Sequence, residues 1–168
     1  MKTTTILIYT IALLFSVSAK AQQDNAASGD AEGVTRALLL SAEDVAARAA
    51  DLDTSVAYAN TTVLEREDVN TSTGVAYRLA VDRRTPPQRA ASHTNEAELW
   101  AIVEGSGAIT TDGRIVETME NGETVRRIEG GTVHQVSAGD FLMIPENVPH
   151  QVTEFDPSLL IVTFEFPR

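Results

Sequence analysis

The sequence contains no cysteine. Disulfide staples and thiol catalysis are thereby excluded, as is anchoring through a lipidated cysteine behind an export signal. Lysine is almost as scarce, since Lys2 and Lys20 are the only two. Beyond Gln22 the chain therefore carries 11 arginines (13 basic residues less the two lysines) against 24 acids, a formal charge of 11 − 24 = −13. So acidic a surface disfavours nucleic acid and anionic lipid as partners and favours solubility. Past the N-terminus no run is long and apolar enough to span a bilayer. A Gly-rich phosphate loop, a Ser nucleophile elbow and an internal repeat are all missing.

The N-terminus itself is informative. In MKTTTILIYTIALLFSVSAKAQQ, Lys2 gives a positive start and Ile6 to Phe15 an apolar stretch. Ala19-Lys20-Ala21 then supplies a small-x-small site. This layout predicts a signal peptide over 1–21, cleaved near Ala21, and hence an exported protein, periplasmic or secreted. The stretch is too short for a comfortable permanent span, so no membrane association is expected after cleavage. What remains is 147 residues (168 less 21), the size of one domain. That length permits a sizeable apolar core without covalent staples.

Residues 22–33, QQDNAASGDAEG, are small and polar, and a flexible leader is predicted over 22–40. One helix is expected over 41–52, SAEDVAARAADL, with Ser41 capping its first amides and two acids at the positive end of its dipole. From 53 to 168 short runs rich in β-branched and aromatic residues take over: TSVAYA, GVAYRLAV, AELWAIVE, GAIT, RIVE, TVHQV, DFLMI, HQVTEF and LLIVTFEF. Turn-rich pieces such as GSG, TDG, MENG, SAGD, PENVP and DPS separate them. The pattern predicts an all-β domain, an antiparallel sandwich or barrel, with a charged hairpin or loop near 118–131.

Within AELWAIVE, Glu98, Trp100 and Ile102 share one face and Leu99, Ala101 and Val103 the other. Both faces are largely apolar, so Glu98 is expected among buried neighbours. A buried carboxylate demands a partner: a metal, an arginine or a hydrogen-bond network. A second stretch, GDFLMIPENVPH (139–150), ends an apolar strand in a stiff turn and delivers His150. Pro145 and Pro149 fix two φ angles there, and Asn147 tolerates the left-handed region that such a turn needs.

Together, His93 to Gly105 and Gly139 to His150 resemble the two signature motifs of the cupin superfamily, over roughly residues 75–165. Glu98, with six residues before Gly105, takes the carboxylate place, and His93 that of the second motif histidine. Gly139, Pro145 and His150 fit the second motif. Ala91 stands where the family has its first histidine, and Asn147 where it has a second glycine. The resemblance implies a cupin-type jelly-roll β-barrel holding one divalent metal on His93, Glu98 and His150. Such a 2-His-1-carboxylate trio leaves positions open and suits Fe, Mn, Ni, Co or Zn. The missing histidine also leaves open a cupin that has given up metal.

The remaining candidates are these. Glu96 shares the strand parity of Glu98 and is the alternative ligand or a catalytic acid/base. His134 is read as an ordinary strand residue, Asp140 as a turn residue, and Trp100 as core or pocket wall. Gln88 and Arg89 are placed at the pocket mouth. Asn60-Thr61-Thr62 and Asn70-Thr71-Ser72 match glycosylation acceptors. Two functions follow from the resemblance. One is a metal-dependent enzyme (lyase, isomerase or oxygenase type) acting on a small polar molecule. The other is a non-catalytic small-molecule or sugar-binding cupin without metal. A homodimer through the edge of the C-terminal strand LLIVTFEF is a further expectation.

Overall fold

The structure, a computed structural model, describes residues 37–68, 70 and 74–167. The expected signal peptide and the leader up to residue 36 lie outside the described residues. In chain order the elements are α1 (Ala42–Ala50), β1 (Tyr58–Glu67), β2 (Val75–Arg84), β3 (Glu96–Thr111), β4 (Arg114–Glu120), β5 (Glu123–Glu129), β6 (Thr132–Ser137), β7 (Phe141–Ile144) and β8 (His150–Pro167). No helix among the described residues is long and apolar enough to cross a membrane.

The helix starts where its cap predicts. The Ser41 hydroxyl accepts from the Asp44 amide at 3.1 Å, and the Ser41 amide donates back to the Asp44 carboxylate at 2.9 Å. Two otherwise unpaired donors are thereby satisfied. The helix lies over one face of the sheet, where Ala49 and Leu52 pack with Leu79, Val81, Leu160 and Val162. Leu40 joins that cluster, and Ala37 and Leu38 line a groove of about 720 Å³ beside it. The last residues of the expected leader are thus seated on the domain.

The main sheet runs β1-β2-β8-β3-β6, with β7 paired to β3. Every pairing between its strands is antiparallel. Directly paired residues share a face, so the register sorts the side chains. The helix-covered face carries Leu79, Val81 and Val162. The opposite face carries Trp100, Ile102, Ile144, Leu159 and Ile161, which form the barrel core. Asp82 pairs with Ile161 and Trp100 with Thr163, which puts these polar groups on the core face as well.

Four of the expected strands are two. AELWAIVE and GAIT are one strand, β3, and HQVTEF and LLIVTFEF are one strand, β8. The separators GSG and DPS are bends within them, and they face each other: Ser106 pairs with Asp156, beside register shifts at Glu104. Both long strands bend at that level, and the sheet curls around its apolar core face as an antiparallel all-β fold. The charged segment forms a hairpin, β4-β5, turning at Asn121-Gly122. Its turn has positive φ at both residues, as Asn-Gly turns do.

Two expectations are corrected. TSVAYA covers only the start of β1, which runs on through Asn60, Thr61, Thr62 and the charged Glu65-Arg66-Glu67. β1 ends the sheet, six of its ten residues are exposed, and the hydrophobic signal is lost. The C-terminal strand is not an edge: β8 is paired with β2 on one side and β3 on the other, so its ladder bonds are already used.

Candidate metal centre

Glu98 stands near the start of β3, with its side chain on the core face. His93 lies in the segment before β3, and His150 opens β8. Backbone hydrogen bonds stitch the two motif segments together around the imidazoles. The Asn147 amide donates to the His93 carbonyl at 2.8 Å, and Ala91 and His150 exchange amide-to-carbonyl bonds of 3.0 and 2.9 Å. Asn147 has φ 63°, the left-handed conformation read from the sequence, and the Val148 amide closes the turn on the Pro145 carbonyl at 3.3 Å. At the other end the Gly139 amide donates to Ile102, and the Ile102 amide to Asp140, both at 2.9 Å. The stiff turn therefore delivers His150 against β3.

One donor atom from each of His93, Glu98 and His150 lies within 4.8 Å of the others. His93 Nε2 is 3.4 Å from Glu98 Oε1, and His150 Nε2 is 3.6 Å from Glu98 Oε2. Glu98 and His150 are buried, at 5% and 3% exposure. His93, with 42% of its side chain exposed, is at the mouth. Ligands about 2.0–2.2 Å from a divalent ion, at octahedral or tetrahedral angles, stand roughly 3.0–3.5 Å apart. The carboxylate–imidazole spacings are close to that without contraction.

The hydrogen bonding points to a cation more sharply than the spacing does. His150 Nδ1 is 3.1 Å from the Val148 carbonyl, which can only accept, so the ring proton is assigned to Nδ1. Nε2 is then a bare lone pair aimed at a carboxylate oxygen 3.6 Å away, too far for a shared proton. Burial, chiefly, pushes the His150 imidazole down to about 4, so it is neutral at physiological pH. Burial also raises the Glu98 carboxyl, against the pull of His93 and Arg84. Oε2 already accepts from the Trp100 indole N–H at 2.8 Å, so the His150 lone pair is the acceptor left without a donor, and an ion held through Oε1 would meet it. The group could hold a metal ion, and its donors fit one.

Ala91 is directly opposite His150 in an isolated β-bridge, so its methyl is on the side of the imidazole. A methyl there leaves open the corner where the family resemblance places another histidine.

Glu96, the first residue of β3, is partly buried with Oε1 3.9 Å from His93 Nδ1. Its carboxyl is raised by burial first and by Glu165 second. Glu96, Glu98 and Glu165 also cluster within metal-binding reach. Glu165, however, is held by a two-pronged ion pair with Arg78, whose Nε donates at 2.7 Å, so that charge is already met. His134 bonds the Thr111 hydroxyl at 2.8 Å on β6, a strand residue away from the trio. Asp140 accepts from the Ser137 amide at 2.8 Å, as a turn residue. Gln88 is not at the mouth: its amide clamps the Thr85 carbonyl at 2.7 Å and that of Ala57. The Arg89 side chain is simply exposed.

Sequence reasoning missed a charged wall of β2. Arg84 stacks over the Trp100 ring at 4.2 Å and the Tyr58 ring at 4.7 Å. Asp82, fully buried, meets Arg84 at 3.3 Å and accepts from the Thr163 hydroxyl at 2.7 Å. The available signal was parity. Arg78, Ala80, Asp82 and Arg84 continue one face of GVAYRLAV beyond its last apolar residue.

His150 also makes a pH prediction for the metal-free protein. Its folded value, about 4, lies below the unfolded 6.5, so the unfolded chain takes the proton first. The stability it contributes is whole above pH 6.5 and is lost as pH falls toward 4, on the order of 3 kcal/mol in full. Glu98 acts oppositely: its carboxyl is raised, so its stability is present below the usual carboxylate range and is lost as pH rises through the folded value. Urea midpoints between pH 7 and 5 should fall for the wild type, and His150→Gln should flatten that slope. An equal slope in the variant would place the titration elsewhere.

No protein-family model and no curated protein matches the chain. Among solved structures it is similar to KdgF from Halomonas sp., with a TM-score of 0.43 and 16% identity over 70% of this chain and 88% of that one. It is also similar to the Cnp3 cupin domain of Schizosaccharomyces pombe (TM-score 0.45, 7% identity, 70% and 69% covered). A third likeness is to Fe(II)-HppE with an alternative substrate (TM-score 0.47, 15% identity, 68% and 52% covered). On its own strand order this chain is an antiparallel all-β fold that carries a His-Glu-His group, with Glu98 and His150 buried and His93 at the mouth.

Proposed function

We propose that this chain is an exported, metal-dependent cupin enzyme acting on a small polar molecule, with His93, Glu98 and His150 as the ligands of one divalent ion. The observation that carries the reading is the bare Nε2 of His150 beside the buried Glu98 carboxylate, with the half-exposed His93 completing the trio. Bound there, the ion would supply Lewis-acid or redox chemistry to a group entering at the Ala91 corner. The chain's own residues do the rest. The Val148 carbonyl holds the His150 ring in its tautomer. Glu96, whose carboxyl burial raises and which lies near the exposed imidazole, is placed to take or give a proton at its Oε1. The apolar barrel core behind Trp100 excludes water from the ion's inner side. Export rests on the N-terminal segment alone.

Elemental analysis tests the reading. Protein purified from its native compartment is expected to hold about one divalent metal per chain, the ratio one ligand trio sets. A protein that holds none as isolated, and takes up none of Fe, Mn, Ni, Co or Zn, would instead be a metal-free small-molecule-binding cupin. With metal in place, turnover in a panel of small hydroxy, keto and carboxylate compounds identifies the reaction.

A further inference from the structure

We infer that Trp100 is a positioning residue for the metal ligand Glu98: its indole N–H occupies Oε2 and leaves Oε1 as the oxygen offered to the ion. This rests on the metal-binding reading given above. Trp100 is fully buried in the barrel core. Its Nε1–H donates to Glu98 Oε2 at 2.8 Å. An indole can only donate, so this bond commits that oxygen as an acceptor. A carboxylate free to turn can grip an ion with both oxygens. With one oxygen engaged by a strong donor, the other becomes the better ligand and ligation is one-pronged, which keeps coordination positions open.

The indole is itself held from two sides. The His150 ring meets it edge-on, with centroids 5.4 Å apart at 84°. The Arg84 guanidinium covers its face at 4.2 Å. A cation over the π face draws electron density from the ring and strengthens the N–H as a donor. Arg84 would repel a metal were its charge uncompensated, and Asp82 at 3.3 Å compensates it. Thr163 in turn fixes Asp82 at 2.7 Å. A chain of contacts thus runs from Thr163 on β8 through Asp82 and Arg84 on β2 to Trp100 and Glu98 on β3. A tryptophan serving only to fill the core needs an acceptor for its N–H, but it needs neither the stacked cation nor the ligand carboxylate.

The test compares Trp100→Phe with the wild type by zinc titration, monitoring folding by urea denaturation. Phenylalanine keeps an aromatic ring and removes the N–H. The variant is expected to bind zinc about 10–100-fold more weakly, the loss typical of an outer partner of a metal ligand. Its cobalt-loaded form should show altered d–d bands from a two-pronged carboxylate. Equal zinc affinity in folded Trp100→Phe overturns the inference. Should that variant fail to fold, the wild type decides, because the chain has a single tryptophan and hence one indole N–H resonance. That resonance is expected to be protected from solvent exchange and to move on zinc binding; an unmoved resonance overturns the inference. A wild type that binds no zinc or cobalt refutes the metal site itself, a separate result.

Discussion

Replacing Glu98 with glutamine is expected to remove metal affinity and, in the metal-free protein, to raise stability. Without an ion, Glu98 is a carboxylate at 5% exposure whose ionised form burial disfavours. When it is ionised, the fold has to hold that charge beside two imidazoles, one of them still more buried. Glutamine has the same shape. Its oxygen, in the Oε2 place, can still accept from Trp100, and its amide then takes the Oε1 place facing His93. The buried charge goes and the Trp100 bond stays. Gains of this kind run to about 0.5–2 kcal/mol. Metal affinity should fall by more than ~100-fold, beyond what loss of an outer partner costs. Urea denaturation and a metal titration on the same preparation read both effects. A less stable Glu98→Gln that still binds metal would make Glu98 a structural carboxylate and dissolve the site.

The second large effect concerns the backbone. Gly105→Ala is expected to abolish folding or cost more than about 4 kcal/mol, the range reserved for named steric failures. Gly105 has φ 84°, and a Cβ built there would stand 1.9 Å from the Ser158 carbonyl oxygen. The clash is with backbone of the strand that pairs with β3, beside its register shift, so no side chain can step aside. Gly139 is the control. It too has positive φ, 99°, but nothing lies within 4 Å of its absent Cβ. Gly139→Ala should cost about 1–2 kcal/mol of conformational strain and still fold. Soluble yield and thermal melting of the two variants check this. Equal damage at both positions would mean that conformation, not close approach, governs the motif glycines.

Much of this was legible because particular residues have one physical use. Ser41 followed by Asp44 could satisfy the first amides of a helix, and it does. Asn147 between two prolines announced a left-handed turn, and the period-two pattern around Glu98 announced a buried carboxylate needing a partner. The rest failed for equally physical reasons. Turn residues mark a change of direction but not whether the ladder resumes, so GSG and DPS hid two continuous strands. β1 carries too few apolar residues to be read because it is an edge. Asp82 and Arg84 looked like solvated charges at a strand end. Only pairing against Ile161 and Leu159 shows that they face inward.

The bonds from Asn147 to His93 and between Ala91 and His150 have a temporal consequence. The candidate ligand atoms come from segments far apart along the chain, and they are not brought together until the first segment docks on the second. On the metal reading proposed above, the site is complete only once these segments have docked, so metal added during refolding is expected to bind after the strands pair and not before.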